Sequence, residues 1–301
     1  MSKILVLVST YNGEKFLQAQ LDSLIAQKLP NNYELRILVR DDGSTDSTTK
    51  ILEDYKSRGY LDWYTGKNLK PAKSFWDLVQ NASDAEYYCF CDQDDVWYED
   101  KIARAVDSLN KENGEQPLLY CSNVMVTDVD CNPIRPFIGD KGNYTDFAHS
   151  LIYSLAPGCT MVFNHSARCE FMKYDMNEEV EIIHDWLAHK ISAMLGKFIY
   201  DPIPSMNYRQ HANNEIGARK SGIVGLFQKV KRGLGKNVCI RSLSAKSLIN
   251  VYGERVGEEE LHLLEMVANY KSDKRLKREL LKTDDFGLDF AMKIAARFNK
   301  L

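Results

Sequence analysis

No stretch of this 301-residue chain reaches the roughly eighteen consecutive apolar residues that a membrane-spanning helix requires. The apolar run that opens the chain, up to Ser9, is also too short for a signal-peptide core. Paired cysteine spacings are missing as well. The seven cysteines are odd in number, and Cys89 and Cys91 sit one residue apart inside an apolar run, which excludes a disulfide framework or a zinc knuckle and fits a reducing cytosol. Charge of one sign is not in excess: 39 basic against 42 acidic residues leave a net charge of -3, so no global positive field marks nucleic acid as a partner. The segment from Ser9 to Glu14 carries one glycine, too few for the Gly-x-Gly-x-x-Gly turn of a dinucleotide-dependent oxidoreductase.

What is present is an alternation of strand-like and helix-like segments, with 44% hydrophobic residues to build a core. Lys3 to Ser9 reads as a buried parallel strand, and Glu14 to Gln27 as a helix with Phe16, Leu17, Leu21, Leu24 and Ile25 on one face. The unit recurs as a strand from Glu34 to Arg40, an acidic loop from Asp41, and a helix from Asp46 to Tyr55. A strand near Leu61 to Tyr64, a helix from Ala72 to Asn81, a strand from Glu86 to Cys91 and a helix from Glu99 to Leu109 continue it. Further on, Pro117 to Met125 and Cys159 to Phe163 read as strands, Asp128 to Asn143 as a turn-rich connection, and Ile183 to Leu195 as a helix. This predicts an α/β fold, a mostly parallel sheet flanked by helices, with its ligand site at the carboxyl ends of the strands. Short Lys/Arg-rich helices beyond Gly222 suggest a boundary near residue 221, dividing a catalytic domain (1–221) from a small C-terminal helical extension (222–301).

Polar groups gather at those strand ends. Ser9, Thr10, Tyr11 and Asn12, with Asp41 and Asp42 at the next strand end, can accept hydrogen bonds from a base or ribose edge; the competing reading of Asp41 to Asp46 is an Asx turn and helix cap. Asp92-Gln93-Asp94 follows a buried strand. Two carboxylates one residue apart face the same side of an extended chain, so Asp92 and Asp94 can share one hard divalent ion, Mg2+ or Mn2+, that keeps other positions for diphosphate oxygens. Asp95 adjoins them and reads as a cap for a helix starting near Trp97. His184-Asp185-Trp186 opens a helix, where Asp185 can serve as general base or simply as a cap. In the polar segment Tyr208 to Asn214, His211 is a candidate third metal ligand and Arg209 a candidate diphosphate contact.

Taken together, Ser9-Thr10-Tyr11-Asn12-Gly13, Asp41-Asp42-Gly43-Ser44-Thr45-Asp46, Asp92-Gln93-Asp94-Asp95-Val96-Trp97, Gly158-Cys159-Thr160, His184-Asp185-Trp186 and Tyr208-Arg209-Gln210-His211 resemble, in content and order, the family 2 inverting glycosyltransferases of the GT-A fold. The likeness spans roughly residues 3 to 217 and is nearest to a rhamnosyltransferase-like branch. It implies that Ser9, Thr10, Tyr11, Asp41, Asp42, Asp92, Gln93, Trp186 and Arg209 hold a nucleotide diphosphate-sugar, that Asp92, Asp94 and His211 hold Mg2+ or Mn2+, and that Asp185 is the catalytic base. His184 stands where the family usually has Glu, which leaves open whether it tunes or replaces that base. The implied donor is dTDP-L-rhamnose, with UDP-hexose or UDP-N-acetylhexosamine as the alternative, and the acceptor a hydroxyl of a glycan or lipid-linked saccharide in surface polysaccharide synthesis. A hydrolase working on a bound sugar with two carboxylates, and a non-catalytic nucleotide or metal module, are the readings from other classes.

Residues 223–236 place Ile223, Leu226, Phe227, Val230 and Leu234 at helical spacing among Lys229, Lys231, Arg232 and Lys236. Such a stripe fits peripheral contact with the inner face of the plasma membrane, and equally packing on the catalytic domain or on a second subunit as a homodimer. The chain is expected in the cytoplasm.

Overall fold

The computed structural model describes residues 1–136, 145–153, 157–176, 183–211 and 240–300. The strands among them are β1 (Ser2–Thr10), β2 (Tyr33–Asp41), β3 (Asp62–Thr65), β4 (Tyr87–Cys91), β5 (Val96–Trp97), β6 (Leu118–Thr127), β7 (Pro133–Pro136), β8 (Val162–Asn164) and β9 (Lys197–Arg209). They form one sheet in the order β3-β2-β1-β4-β8-β6-β9-β5, with β7 added on β6. The half from β3 to β4 is parallel, as the strand-helix alternation requires. The sheet as a whole is mixed, because the short β8 runs antiparallel to both β4 and β6, while β6 and β9 pair in parallel.

The two faces follow from the period of two along a strand. Ile4, Val6 and Val8 of β1 point into one core with Leu17, Leu21 and Leu24 of helix α1 (Leu17–Ile25) and Leu52 and Tyr55 of α2 (Thr48–Ser57). Helix α4 (Lys101–Leu109) closes that layer with Ile102, Ala105, Val106 and Leu109. Each of the three α1 leucines is fully buried, worth roughly 1.5–3 kcal/mol apiece in removed apolar surface. Leu5 and Leu7 point the other way, into a larger core with α3 (Lys70–Asn81), α5 (Phe147–Ile152), α6 (His165–Phe171) and α7 (His184–Leu195). That core extends without a break into the C-terminal helices α8 (Ile240–Tyr252), α9 (Glu258–Asn269), α10 (Lys274–Lys282) and α11 (Phe290–Arg297), through Leu248, Tyr252, Leu264, Val267, Leu280 and Ala296. The boundary near residue 221 and the basic segment 223–236 lie outside the described residues.

Strand β9 is the largest element that the sequence pattern did not announce. Pro202 and Pro204 interrupt it, and they sit where the β6–β9 register slips between Ser122 and Asn123. The irregularity is clamped from α4, since the Arg104 guanidinium donates to the carbonyls of Ile203 (2.8 Å) and Pro204 (3.1 Å) and pairs with Asp201. The bulge lets β9 run on to Arg209, delivering the segment to His211 to the same end of the sheet as the first two βα loops.

Candidate active site

The loop after β1 is built on Asn12, whose φ of 49° lies in the left-handed region that Asn tolerates. Its side chain accepts from the Thr45 N–H (2.9 Å) and its own N–H donates to Ser44 Oγ (2.9 Å), so the first two βα loops are tied together. Gln93 fastens the same loop to the acidic motif: Thr10 Oγ1 and the Tyr11 N–H donate to its Oε1 at 2.6 and 2.9 Å, and its Nε2 donates to the Tyr11 carbonyl at 3.1 Å. A Cβ on Gly13 would lie 2.4 Å from Gln93 Oε1, which is why this turn needs glycine. Ser9 turns instead toward α3, with its hydroxyl 2.6 Å from that of Ser74, while Tyr11 is largely exposed over the loop.

Asp41 and Asp42 are both buried. Asp41 accepts from the Ser44 N–H (3.1 Å) and from Thr65 Oγ1 (2.9 Å), so the Asx turn is real and the carboxylate sits at the loop's base. Asp42 accepts from the N–H groups of Leu69 and Lys70, each at 2.9 Å, satisfying donors that open α3, and is paired with Arg40. Lys70 is held at a φ of 64°, a strained value for lysine, by Asp42 together with Asn68 Oδ1 at 3.0 Å.

The acidic motif divides. Asp94 turns to His211, with Oδ2 and Nε2 2.7 Å apart, and the imidazole stacks on Phe16 at 4.7 Å. Arg209 joins this group, its guanidinium 4.8 Å from the Phe16 ring. Asp92 instead gathers with Asp95 and Cys159, each offering an atom within 4.8 Å of the others. Asp95 caps no helix: it is fully buried, α4 begins at Lys101, and Asp95 Oδ1 accepts the Arg209 N–H at 3.1 Å. Burial pushes its carboxyl well above the ordinary range, with Asp94 and Asp92 adding to the rise. Its Oδ2 receives no N–H or O–H donor, the condition of an oxygen that a cation would satisfy. Carboxylates with an imidazole alongside suit a hard divalent ion, so the donor set fits Mg2+ or Mn2+.

Asp185 lies in the first turn of α7, behind the N-cap Ile183, and is 9% exposed. Burial pushes its carboxyl up to about 7, against the pull of the N–H groups of Trp186 and Gly158, its own N–H, and Lys190. The Trp186 N–H donates to Oδ1 at 2.7 Å. His184 is wedged between Phe75, stacked at 4.2 Å, and the edge of Phe90 at 5.1 Å, and neither ring nitrogen has a hydrogen-bond partner. Burial lowers it to about 3, so it is neutral where it packs beside Asp185.

A single turn joins the acidic group to Asp185. The short helix Gly158–Thr160 places Cys159 against Asp92 and Asp95, while a Cβ on Gly158 would meet His184 Nε2 at 2.4 Å and Asp185 Cβ at 3.3 Å. Lys101, fully buried beneath it, donates from Nζ to the Thr160 carbonyl at 3.2 Å and lies 4.5 Å from the Trp97 ring. Cys159 stood in the sequence only within the Gly158-Cys159-Thr160 motif, with no role assigned to it, and Lys101 carried no signal, since a helix-start lysine is an ordinary residue until this turn brings it in. Trp186 lies on the other side, half-buried between Lys190 Nζ (5.4 Å) and the Arg241 guanidinium (5.6 Å).

The sequence profile of Glycosyl transferase family 2 matches residues 5–156, half of the chain. The dTDP-rhamnosyl transferase RfbG of Shigella flexneri is 32% identical over 252 residues, covering 76% of this chain and 79% of that protein. The chain therefore belongs to glycosyl transferase family 2 and is a glycosyltransferase. The poly(ribitol-phosphate) beta-N-acetylglucosaminyltransferase TarS of Staphylococcus aureus is a more distant relative, 28% identical over 162 residues, which cover 52% of this chain and 27% of TarS. The fold is of the GT-A type: the crystal structure of TarS 1–349 with UDP-GlcNAc superposes with a TM-score of 0.58 at 16% identity, covering 99% of this chain and 90% of that one. The mannosyltransferase PcManGT of Pyrobaculum calidifontis, solved with GDP-Man and Mn2+, gives 0.54 at 15% identity, covering 99% and 86%. No helix among the described residues is long and apolar enough to cross a membrane.

Proposed function

We propose that the chain is a metal-dependent, inverting glycosyltransferase that moves L-rhamnose from dTDP-rhamnose to a hydroxyl of a glycan or lipid-linked saccharide. The observation that carries the reading is the Gly158–Thr160 turn, with the acidic group on one side and the buried carboxyl of Asp185 on the other. In this reading Thr10, Tyr11, Asp41 and Asp42 frame the nucleoside. Ser9, Gln93, Trp186 and Arg209 complete the donor site, with Ser9 and Gln93 acting through the loops they fasten.

Asp92, Asp94 and His211 would hold Mg2+ or Mn2+, with Asp95 and Cys159 behind them; when bound, the ion neutralises the diphosphate and eases its departure. Asp185 takes the proton from the acceptor hydroxyl. A carboxyl raised to about 7 is a better proton acceptor than an ordinary one and is still substantially ionised at neutral pH. One base set apart from the metal-facing carboxylates fits a single displacement, with inversion at the anomeric carbon. The rhamnose donor is supported by the Shigella relative; a UDP-N-acetylhexosamine donor is the second reading, favoured by the TarS likeness.

A panel of nucleotide sugars with Mn2+ or Mg2+, scored by nucleoside diphosphate release and product anomer, tests the donor and the stereochemistry. The Asp185→Asn variant should bind donor normally while transfer falls by about 10²-fold or more. Near-wild-type transfer by this variant, full activity in excess chelator, or a retained anomer would each overturn a part of the reading. Membrane contact through residues 223–236 and a homodimer belong to the proposal, the first tested by flotation with neutral and anionic vesicles.

A further inference from the structure

Lys101 is the first residue of α4 and fully buried, between Trp97 and Ile102 of an apolar core. Desolvating an amino group there is a cost that a methionine of nearly the same length would avoid, so packing alone gives no reason for the nitrogen. The backbone that carries the lysine is pinned from two sides. From α1 and the residues after it, Ser23 Oγ accepts the Trp97 N–H at 3.1 Å, Gln27 Oε1 accepts the Ile102 N–H at 3.2 Å, and Gln27 Nε2 donates to the Tyr98 carbonyl at 2.8 Å. From β9, the Ser205 carbonyl accepts the Tyr98 N–H at 2.9 Å. Out of this fixed root Nζ passes 4.5 Å from the Trp97 ring and donates to the Thr160 carbonyl at 3.2 Å. Thr160 is itself fully buried, and its N–H and Oγ1 both close the 158–160 turn on the Pro157 carbonyl, at 3.0 and 2.8 Å.

We infer that Lys101 is a positioning residue that, through the Thr160 carbonyl, sets the spacing between the metal-facing carboxylates and Asp185. The inference rests on the proposed reading of those groups as ion site and base. The acidic motif and the lysine belong to one short stretch, Asp92 to Lys101, so the hydrogen bond to Thr160 fixes the turn in the frame of the carboxylates themselves. The turn then carries the alignment in two directions. On one side Cys159 stands against Asp92 and Asp95, each offering an atom within 4.8 Å of the others. On the other, Gly158 packs on the start of α7 so closely that an added Cβ would lie 2.4 Å from His184 Nε2 and 3.3 Å from Asp185 Cβ. A slip of the turn therefore reaches both halves of the site. Without the lysine, the buried Thr160 carbonyl loses this donor, and the turn must shift to recover one. A misplacement of about 1 Å between reacting groups costs about 10²-fold in rate.

Lys101→Met removes the donor and keeps most of the stem. It should lower kcat by about 10²-fold while KM for the nucleotide sugar stays near the wild-type value. Thr160→Val, which keeps the side-chain shape and loses the Oγ1 bond to Pro157, should lower kcat less and also spare KM. Lys101→Arg, which can donate to the same carbonyl, should recover most of the rate. Urea unfolding beside the kinetics gives the folded fraction, since a merely structural lysine would cost stability and leave turnover per folded molecule unchanged. A second readout needs no substrate: in 15N-labelled Lys101→Met the amide signals of Gly158 and Cys159 and, across the turn, of Asp185 should be displaced from their wild-type positions. Wild-type kcat per folded molecule in Lys101→Met, or an Asp185 signal that stays in place, overturns the inference. Near-wild-type transfer by Asp185→Asn would instead overturn the base assignment, which the NMR comparison leaves untouched.

Discussion

The Asp185→Asn substitution should make the protein more stable in neutral solution even as it removes transfer. Asp185 is buried, and its carboxyl is lifted from the ordinary 3.8 to about 7. Below pH 3.8 the group is protonated in both folded and unfolded chains and costs nothing. As pH rises, the unfolded chain gives up the proton while the folded chain keeps it, so stability drains away until the folded carboxyl also ionises near 7. The rise is about 3 units at about 1.4 kcal/mol each, which sets a ceiling of about 4 kcal/mol above pH 7. Asparagine keeps the oxygen that accepts the Trp186 N–H and never ionises. Urea unfolding from pH 4 to 8.5 should therefore show the two proteins within about 1 kcal/mol at the acid end, with the variant ahead by about 2–4 kcal/mol at pH 8. A difference that does not change with pH would refute the burial argument.

Gly158→Ala should lower kcat by about 10²-fold with nucleotide binding retained, because the new Cβ would stand 2.4 Å from His184 Nε2 and push on the helix start that carries Asp185. A wild-type kcat would show that His184 can yield freely. Asp94→Ala should weaken Mn2+ binding by at least about 10-fold in calorimetry, as loss of a ligand or its partner does. Unchanged affinity would assign the ion to Asp92, Asp95 and Cys159. Arg168→Met should cost about 2–4 kcal/mol in urea unfolding, since Arg168 donates to the carbonyls of Val79 (3.0 Å) and Ala82 (2.6 Å) at the end of α3 and both would be left buried. An unchanged midpoint would mean that water replaces it.

How much could be read in advance varies by element. The runs of β1 and β4 were legible because a strand buried on both faces must be apolar, β2 through its shorter Ile37-Leu38-Val39 run, and their helices because an amphipathic face repeats every three or four residues. Strand β9 was not, because its two prolines speak against a strand and only the bulge against β6 and the Arg104 clamp accommodate them. The Cys159 region was read as strand; the chain instead makes a short turn before β8, and the turn is what lets one segment touch both halves of the site.

By itself the sequence determined the family, the α/β order, and which loops carry the carboxylates, since composition, periodicity and motif order are properties of the chain read locally. Tertiary structure decided what those carboxylates face. Spacing along the chain puts Asp92 and Asp94 on one side of an extended segment, yet the fold sends Asp94 to His211 and Asp92 to Asp95 and Cys159. Burial decided the rest: it raises Asp185, silences His184 between two phenylalanines, and gives Lys190 a partner on a helix more than fifty residues further along the chain. Desolvation and charge proximity depend on three-dimensional neighbours, and no local pattern encodes them.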